Sequence, residues 1–75
     1  MTQNDVLPAV RDLVADYAEV GDDAAPLDLD SLSLIQLTED LEDRFGFVVA
    51  ADDLVPAHFD SVAAIAAFVQ GKVQR

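Results

Sequence analysis

The residue types of this 75-residue chain limit the chemistry it can perform. It has no cysteine, which excludes disulfides, thiolate metal sites and cysteine nucleophiles. His58 has no evident partner of the kind that a nucleophile-and-base pair needs, and we interpret it as a loop or core-edge residue. The carboxylates of Asp22-Asp23 and Asp28–Asp30 lack the glycine and terminal glutamate of a calcium loop. Catalysis and metal binding are therefore the weakest interpretations.

Hydroxyl groups are the remaining candidates, and two serines follow an aspartate where a helix is predicted to begin. Asp30-Ser31-Leu32 precedes an amphipathic segment, whereas Asp60-Ser61 precedes a segment rich in alanine. Ser and Asp are preferred N-cap residues, so capping is the simplest interpretation of both serines. We interpret Ser61 in that way.

The segment behind Ser31 has a second face that the core does not need. At about 100° per residue, Leu32, Ile35, Glu39 and Glu42 share a face with Ser31, away from the predicted core stripe. Large aliphatic side chains amid carboxylates are unusual for plain solvent surface. The helix behind Ser31 is therefore a candidate docking surface, whereas position alone still favours capping as the role of Ser31.

The elements that position these residues are helices, and the predicted fold is a small all-α four-helix bundle with a short third helix. We expect a single domain over residues 1–75, because a chain this short has room for one small core. Helix one is predicted over residues 6–19, with Asp5 as N-cap, Pro8 in the first turn and Gly21 as the stop. A loop follows in which Leu27 and Leu29 point inward.

Helix two is predicted to begin at Ser31, with Asp30 or Ser31 itself as cap, and to end at Gly46. Its predicted core stripe consists of Leu34, Leu37, Thr38, Leu41 and Phe45. Phe47-Val48-Val49 is expected to be an extended loop packed on the core, because no second strand is available to pair with it.

The last two helices are predicted from caps and spacing. Asp52 or Asp53 is expected to cap a short turn through Leu54 and Val55, and Pro56 and Phe59 are expected to limit that turn. Asp60-Ser61 is expected to cap helix four. Its apolar positions at helical spacing are Val62, Ile65, Ala66, Val69 and Val73. Lys72 and Arg75 fall near its C-terminal end, where positive charge suits the helix dipole.

Charge indicates the kind of partner. Fifteen acidic against four basic residues give a net charge of −11, and the stretch from Asp16 to Asp43 has ten acids and no base. Nucleic acid is a poor partner, since binding to phosphates needs clustered Lys and Arg. A strongly negative small domain is attracted to basic patches on other proteins, although solubility is the simplest explanation of the charge by itself. With no apolar run of about 18 residues and no signal peptide, we expect a cytoplasmic monomer without membrane insertion.

The same residues carry a resemblance to a known family. The matching positions are Asp30-Ser31-Leu32, Leu34, Ile35, Leu37, Leu41 to Gly46, Asp52-Asp53-Leu54, Phe59 to Val62 and Ile65. Together they resemble the attachment region of acyl carrier proteins. The resemblance implies that Ser31, flanked by Asp30 and Leu32, receives a 4′-phosphopantetheine arm from coenzyme A. A phosphopantetheinyl transferase installs the arm with Mg²⁺, and its thiol carries an acyl or aminoacyl thioester.

The resemblance also implies partners and a type of pathway. Partner enzymes with basic patches, such as a loading ligase, a synthase or an acyltransferase, would contact helix two. The expected contact residues are Asp30, Leu32, Ile35, Gln36, Glu39, Glu42 and Asp43. Gln36 and Glu39 depart from fatty-acid carriers, and the segment from Asp53 to Val62 is similar to freestanding carriers of specialised pathways. The alternative is an unmodified acidic interaction module that uses helix two to bind basic surfaces.

Overall fold

The computed structural model describes residues 3–73, and in this range the fold contains helices and no strand. The helices are α1 (Gln3–Ala15), α2 (Ser31–Phe45), α3 (Pro56–Phe59) and α4 (Val62–Val73), and a 3₁₀ turn at Ala51–Asp53 precedes α3. The predicted all-α bundle with three longer helices and one short helix is confirmed.

The core lies between α1, α2 and α4, with Phe59 of α3 at its edge. Its buried members are Val6, Val10, Val14, Leu37, Leu41, Phe59, Val62, Ile65, Ala66 and Val69. On α2 and α4 these are positions that the helical periodicity predicted. Leu34, Phe45 and Val73 are half-buried against this cluster, and Thr38 is buried. The prediction for Arg75 lies outside the described residues.

The predicted bounds of the first helix are wrong at both ends. The helix begins at Gln3, so Asp5 lies inside it rather than capping it, and Pro8 lies beyond the first turn. The missing N–H of Pro8 removes one helical hydrogen bond. After Ala15 the chain tightens into a turn, with Tyr17 N–H donating to the Val14 carbonyl at 2.9 Å. Gly21 lies beyond this turn and does not end the helix.

Long-range bonds explain where the chain leaves α1. The Arg11 guanidinium donates to the Gly21 carbonyl at 3.1 Å and to the Asp23 carboxylate. The loop also bonds to the start of α4: Leu27 N–H donates to the Asp60 carbonyl, and Ala63 N–H to the Asp23 carbonyl, both at 2.8 Å. These bonds place the end of the loop, and therefore the start of α2, beside the start of α4.

Leu27 and Leu29 are half-buried against the core, as predicted. Phe47 also packs on the core, whereas Val48 in the same loop is exposed, so the expectation for that loop holds only in part.

The short third helix lies later than predicted. Asp52 and Asp53 belong to the separate 3₁₀ turn, and Leu54 and Val55 connect that turn to α3. Pro56 begins α3, because its fixed φ suits the first helical position and its lack of an N–H costs nothing there. The prediction that Pro56 limits the turn is therefore wrong, because Pro56 is the first residue of α3.

Candidate functional site

The N-terminus of α2 is capped by Asp30 and leaves Ser31 exposed. Asp30 has an extended backbone, and its Oδ1 accepts the Ser33 N–H at 2.7 Å. Its carbonyl accepts the Leu34 N–H at 2.9 Å. Of the two caps that the sequence allowed, the structure therefore has Asp30. Ser31 is the first helical residue, it is exposed to solvent, and its hydroxyl is not used for capping.

The electrostatics of this helix end favour an anionic group on Ser31. The first N–H groups of α2 have no acceptor within the helix, and the helix dipole adds partial positive charge there. A phosphate ester on the Ser31 oxygen would therefore lie at a stabilising position. The hydrogen bond from Ser33 holds the pKa of Asp30 below its ordinary value, so the cap is a carboxylate at neutral pH.

The other two serines lie in different surroundings. Ser61 is only 8% exposed, and its Oγ accepts the Ala64 N–H at 3.0 Å, so its predicted role as a helix cap is confirmed. Ser33 is half-buried and lies two residues after Ser31 in α2. All three serines of the chain are among the described residues, and Ser31 is the exposed one.

Behind Ser31, α2 presents a mixed apolar and acidic surface to solvent, which we call the outer face: Leu32, Ile35, Gln36, Glu39 and Asp43. Leu32 is 64% exposed and Ile35 is 51% exposed, and the three polar members are exposed as well. Helical spacing predicted Leu32, Ile35 and Glu39 on this face, and the family resemblance added Gln36 and Asp43; the structure exposes all five. Their role in docking stays a prediction.

Glu42 differs from the outer face although the sequence grouped it there. It is half-buried, and its Oε2 accepts the Val49 N–H at 2.7 Å. The carboxylate thus holds the loop that follows α2 against the helix. Helical periodicity could not reveal this bond, because it depends on how the chain returns after Gly46, whose φ of 72° is the left-handed conformation that glycine tolerates.

A second contact that sequence reasoning missed joins α2 to the turn that follows α1. The Tyr17 hydroxyl donates to the Asp40 carboxylate. This hydrogen bond, more than the partial desolvation of the ring, raises the pKa of Tyr17 to about 12. Asp40 is half-buried and faces α1. The acids of α2 therefore divide into those that bind their own fold, Asp40 and Glu42, and those that face solvent.

An apolar groove of about 280 Å³ lies beside the N-terminal end of α2. Its lining residues are Leu27, Leu29, Leu34, Leu54, Val55, Pro56, Phe59 and Asp60. Leu29 and Leu34 flank Ser31 in the chain, so the groove is close to the candidate attachment point. A depression of about 490 Å³ lies at the other end of α2, around Phe45–Val48 and the end of α4. Its lining includes no residue adjacent to Ser31.

His58 lies at the core edge, as predicted. Its ring stacks on Phe68 with centroids 4.9 Å apart, and its Nδ1 is 3.0 Å from the Asp53 carbonyl oxygen. Among the described residues, no three His, Cys, Asp or Glu side chains are grouped so that they could hold a metal ion. Within residues 3–73, each helix is too short or too polar to cross a bilayer.

Comparison with known protein families places most of the chain in a family. The model of a family described as "phosphopantetheine attachment site" matches residues 8–69. The matched region runs from α1 to near the end of α4 and includes all three serines. Comparisons with curated proteins and with solved structures gave no match.

Proposed function

The chain belongs to the phosphopantetheine attachment site family, and we propose that Ser31 is its attachment residue. The family attaches 4′-phosphopantetheine covalently to a serine, so this chain is a phosphopantetheine-carrying carrier protein. The match alone does not choose among three serines. The observation that supports Ser31 is its exposure at the start of α2. Because Asp30 caps the helix, the Ser31 hydroxyl is not needed for capping.

The residues present fit the attachment chemistry. In the active site of a transferase with Mg²⁺, the Ser31 oxygen attacks the pyrophosphate of coenzyme A. A serine Oγ–phosphorus bond forms, the pyrophosphate P–O bond breaks, adenosine 3′,5′-bisphosphate leaves, and the hydroxyl proton passes to a base of the transferase. The new phosphodiester is stabilised by the N-terminus of α2. Once attached, the arm supplies the thiol for thioester chemistry, which a chain without cysteine lacks.

We extend the proposal to partner enzymes, which would bind the outer face of α2 through basic patches. Leu32 and Ile35 would supply apolar contact area, and Glu39 and Asp43 would raise the encounter rate and fix the orientation. The excess of acids over bases favours such partners over nucleic acid. The transferase is one partner, and a loading ligase, synthase or acyltransferase is another.

We further propose that the chain is a freestanding carrier without catalysis of its own, which serves a specialised pathway with acyl or aminoacyl cargo. Gln36 and Glu39 support it. Fatty-acid carriers usually have an acidic residue at the position of Gln36 and often have an apolar residue at the position of Glu39. Asp30 supports it as well, since it precedes Ser31 without the Gly-Gly lead-in of carriers in modular peptide synthetases.

The experiment is transfer from coenzyme A by a broad-specificity phosphopantetheinyl transferase, read by intact mass. The wild-type chain should gain the mass of one phosphopantetheine, and Ser31→Ala should gain none. Ser33→Ala is the matched control: the Ser33 N–H that binds Asp30 is retained, so it should be modified like the wild type. A gain that persists in Ser31→Ala would overturn the assignment, as would no gain in the wild type.

A further inference from the structure

The apolar groove beside Ser31 has two walls, which come from different parts of the fold. Leu27, Leu29 and Leu34 belong to the first loop and α2, whereas the opposite wall is formed by residues 54–56 and Phe59, which Asp60 follows. This second wall belongs to the segment from the 3₁₀ turn to the end of α3, residues 51–59, which we call the wall segment.

The wall segment rests on α4. Its helix packs chiefly against α4, and Phe59 is the buried residue of the segment. Leu54 and Val55 are both more than one third exposed. One core side chain holds the end of this segment, so the position of the part that lines the groove must depend on other contacts.

Those contacts converge on two residues of α4. Lys72 Nζ lies 2.7 Å from Asp53 Oδ2 and 5.7 Å from the ring centre of Phe68. Phe68 in turn stacks against His58 of the wall segment. Asp53 Oδ2 also accepts the Ala50 N–H at 3.0 Å, and the hydrogen bond from Lys72 is the main reason why the pKa of Asp53 is lowered.

We propose that the Asp53–Lys72 ion pair, supported by His58 on Phe68, is a latch that holds the wall segment on α4 and sets how far the groove stands open. Releasing the latch frees Leu54 and Val55 to move away from α2 without separating the α1, α2 and α4 core. The latch is a property of the fold. An open groove would expose to water a thioester cargo bound in it, and this consequence rests on the proposed carrier function.

Hydrogen exchange tests the latch in the Ser31→Ala protein, which lacks the arm, so the outcome does not depend on attachment. The reporters are hydrogen-bonded amides of the wall segment: Leu54 N–H bonds to the Ala51 carbonyl at 3.1 Å, and His58 N–H to the Val55 carbonyl at 3.0 Å. Lys72→Met removes the charge and keeps an aliphatic stem over Phe68. Because a partly exposed ion pair is weak, we expect exchange at these amides to rise by about two- to fivefold.

Two variants control for other effects. Lys72→Arg keeps the charge and should restore slow exchange. Arg44→Met removes one positive charge from the end of α2 and should leave the wall segment unchanged, which separates the latch from general repulsion among the acids. The proposal is overturned if Lys72→Met leaves these amides unchanged, if amides of α1 and α2 accelerate equally, or if Arg44→Met has the same effect.

Discussion

Reversing the charge of Glu39 tests whether the outer face of α2 is the docking surface. Glu39 is exposed and lies two helical turns after Leu32, and no bond within the described fold involves its carboxylate. In Glu39→Lys the fold should therefore be retained, while an attraction to a basic patch on the transferase becomes a repulsion.

The magnitude follows from the exposure of the site. One exposed ion pair contributes about 0.2–1 kcal/mol. Reversal replaces attraction by a repulsion of similar size, a change of about 0.4–2 kcal/mol, which slows transfer by roughly two- to thirtyfold at a factor of ten per 1.4 kcal/mol. Screening shortens the reach of these charges from about 30 Å at 0.01 M salt to about 3 Å at 1 M, so the defect should nearly vanish at high salt.

The assay is the kcat/KM of phosphopantetheine transfer from coenzyme A, measured at low and at high salt. Asp12→Lys is the matched control, because it makes the same change in net charge at an exposed position on α1. The control should lose little activity. Equal slowing of both variants, or a defect in Glu39→Lys that does not depend on salt, would refute the assignment of α2 as the docking face.

Three further outcomes follow from contacts within the fold. The lone tyrosine, Tyr17, should titrate near pH 12 by phenolate absorbance, and nearer pH 10 in Asp40→Asn. Because folding raises the pKa of Tyr17, its hydrogen bond to Asp40 stabilises the fold fully below pH 10, and this stabilisation is lost as the pH rises through 12. Glu42→Gln should keep Val49 N–H protected from exchange while Glu42→Ala should not, since the amide oxygen still accepts. Asp30→Ala should have a lower melting temperature than wild type at neutral pH. Because the pKa of Asp30 is lowered on folding, this difference should be present above pH ~4 and shrink on acidification, which thermal melts at several pH values will measure.

Local sequence rules were sufficient for α2 and its ends. Asp30 caps the helix through a bond three residues along the chain, and Gly46 provides the left-handed residue at the other end. Both devices act over about one helical turn, so residue type predicts a cap at Asp30 or Ser31 and an end at Gly46, and the structure selects Asp30. The same holds for Ser61 at the start of α4.

Predictions that depended on distant parts of the chain were less reliable. Gly21 looked like a helix stop, but its carbonyl is bound by Arg11, ten residues earlier. Pro56 looked like a limit to the third helix and instead begins it. Glu42 carries the charge of a docking residue, yet it binds the loop after α2. Each outcome depends on where a second segment lies in space, which helical periodicity does not encode.

The groove illustrates the same limit at the candidate site. One wall comes from the loop before α2 and from α2 itself, the other from the segment around α3, and the two lie at least twenty residues apart in the sequence. The position of Ser31 was predictable because one helix start determines it, whereas the apolar groove beside it appears only when these segments are brought together.

We propose that 4′-phosphopantetheine is attached to Ser31. The most direct test is fragmentation of the peptide containing residues 29–36 after enzymatic transfer from coenzyme A, because this peptide holds both Ser31 and Ser33. We expect the added group on Ser31 and an unmodified Ser33 in the same fragment series. A group located on Ser33, or a fully modified protein in which this peptide is unmodified, would contradict it.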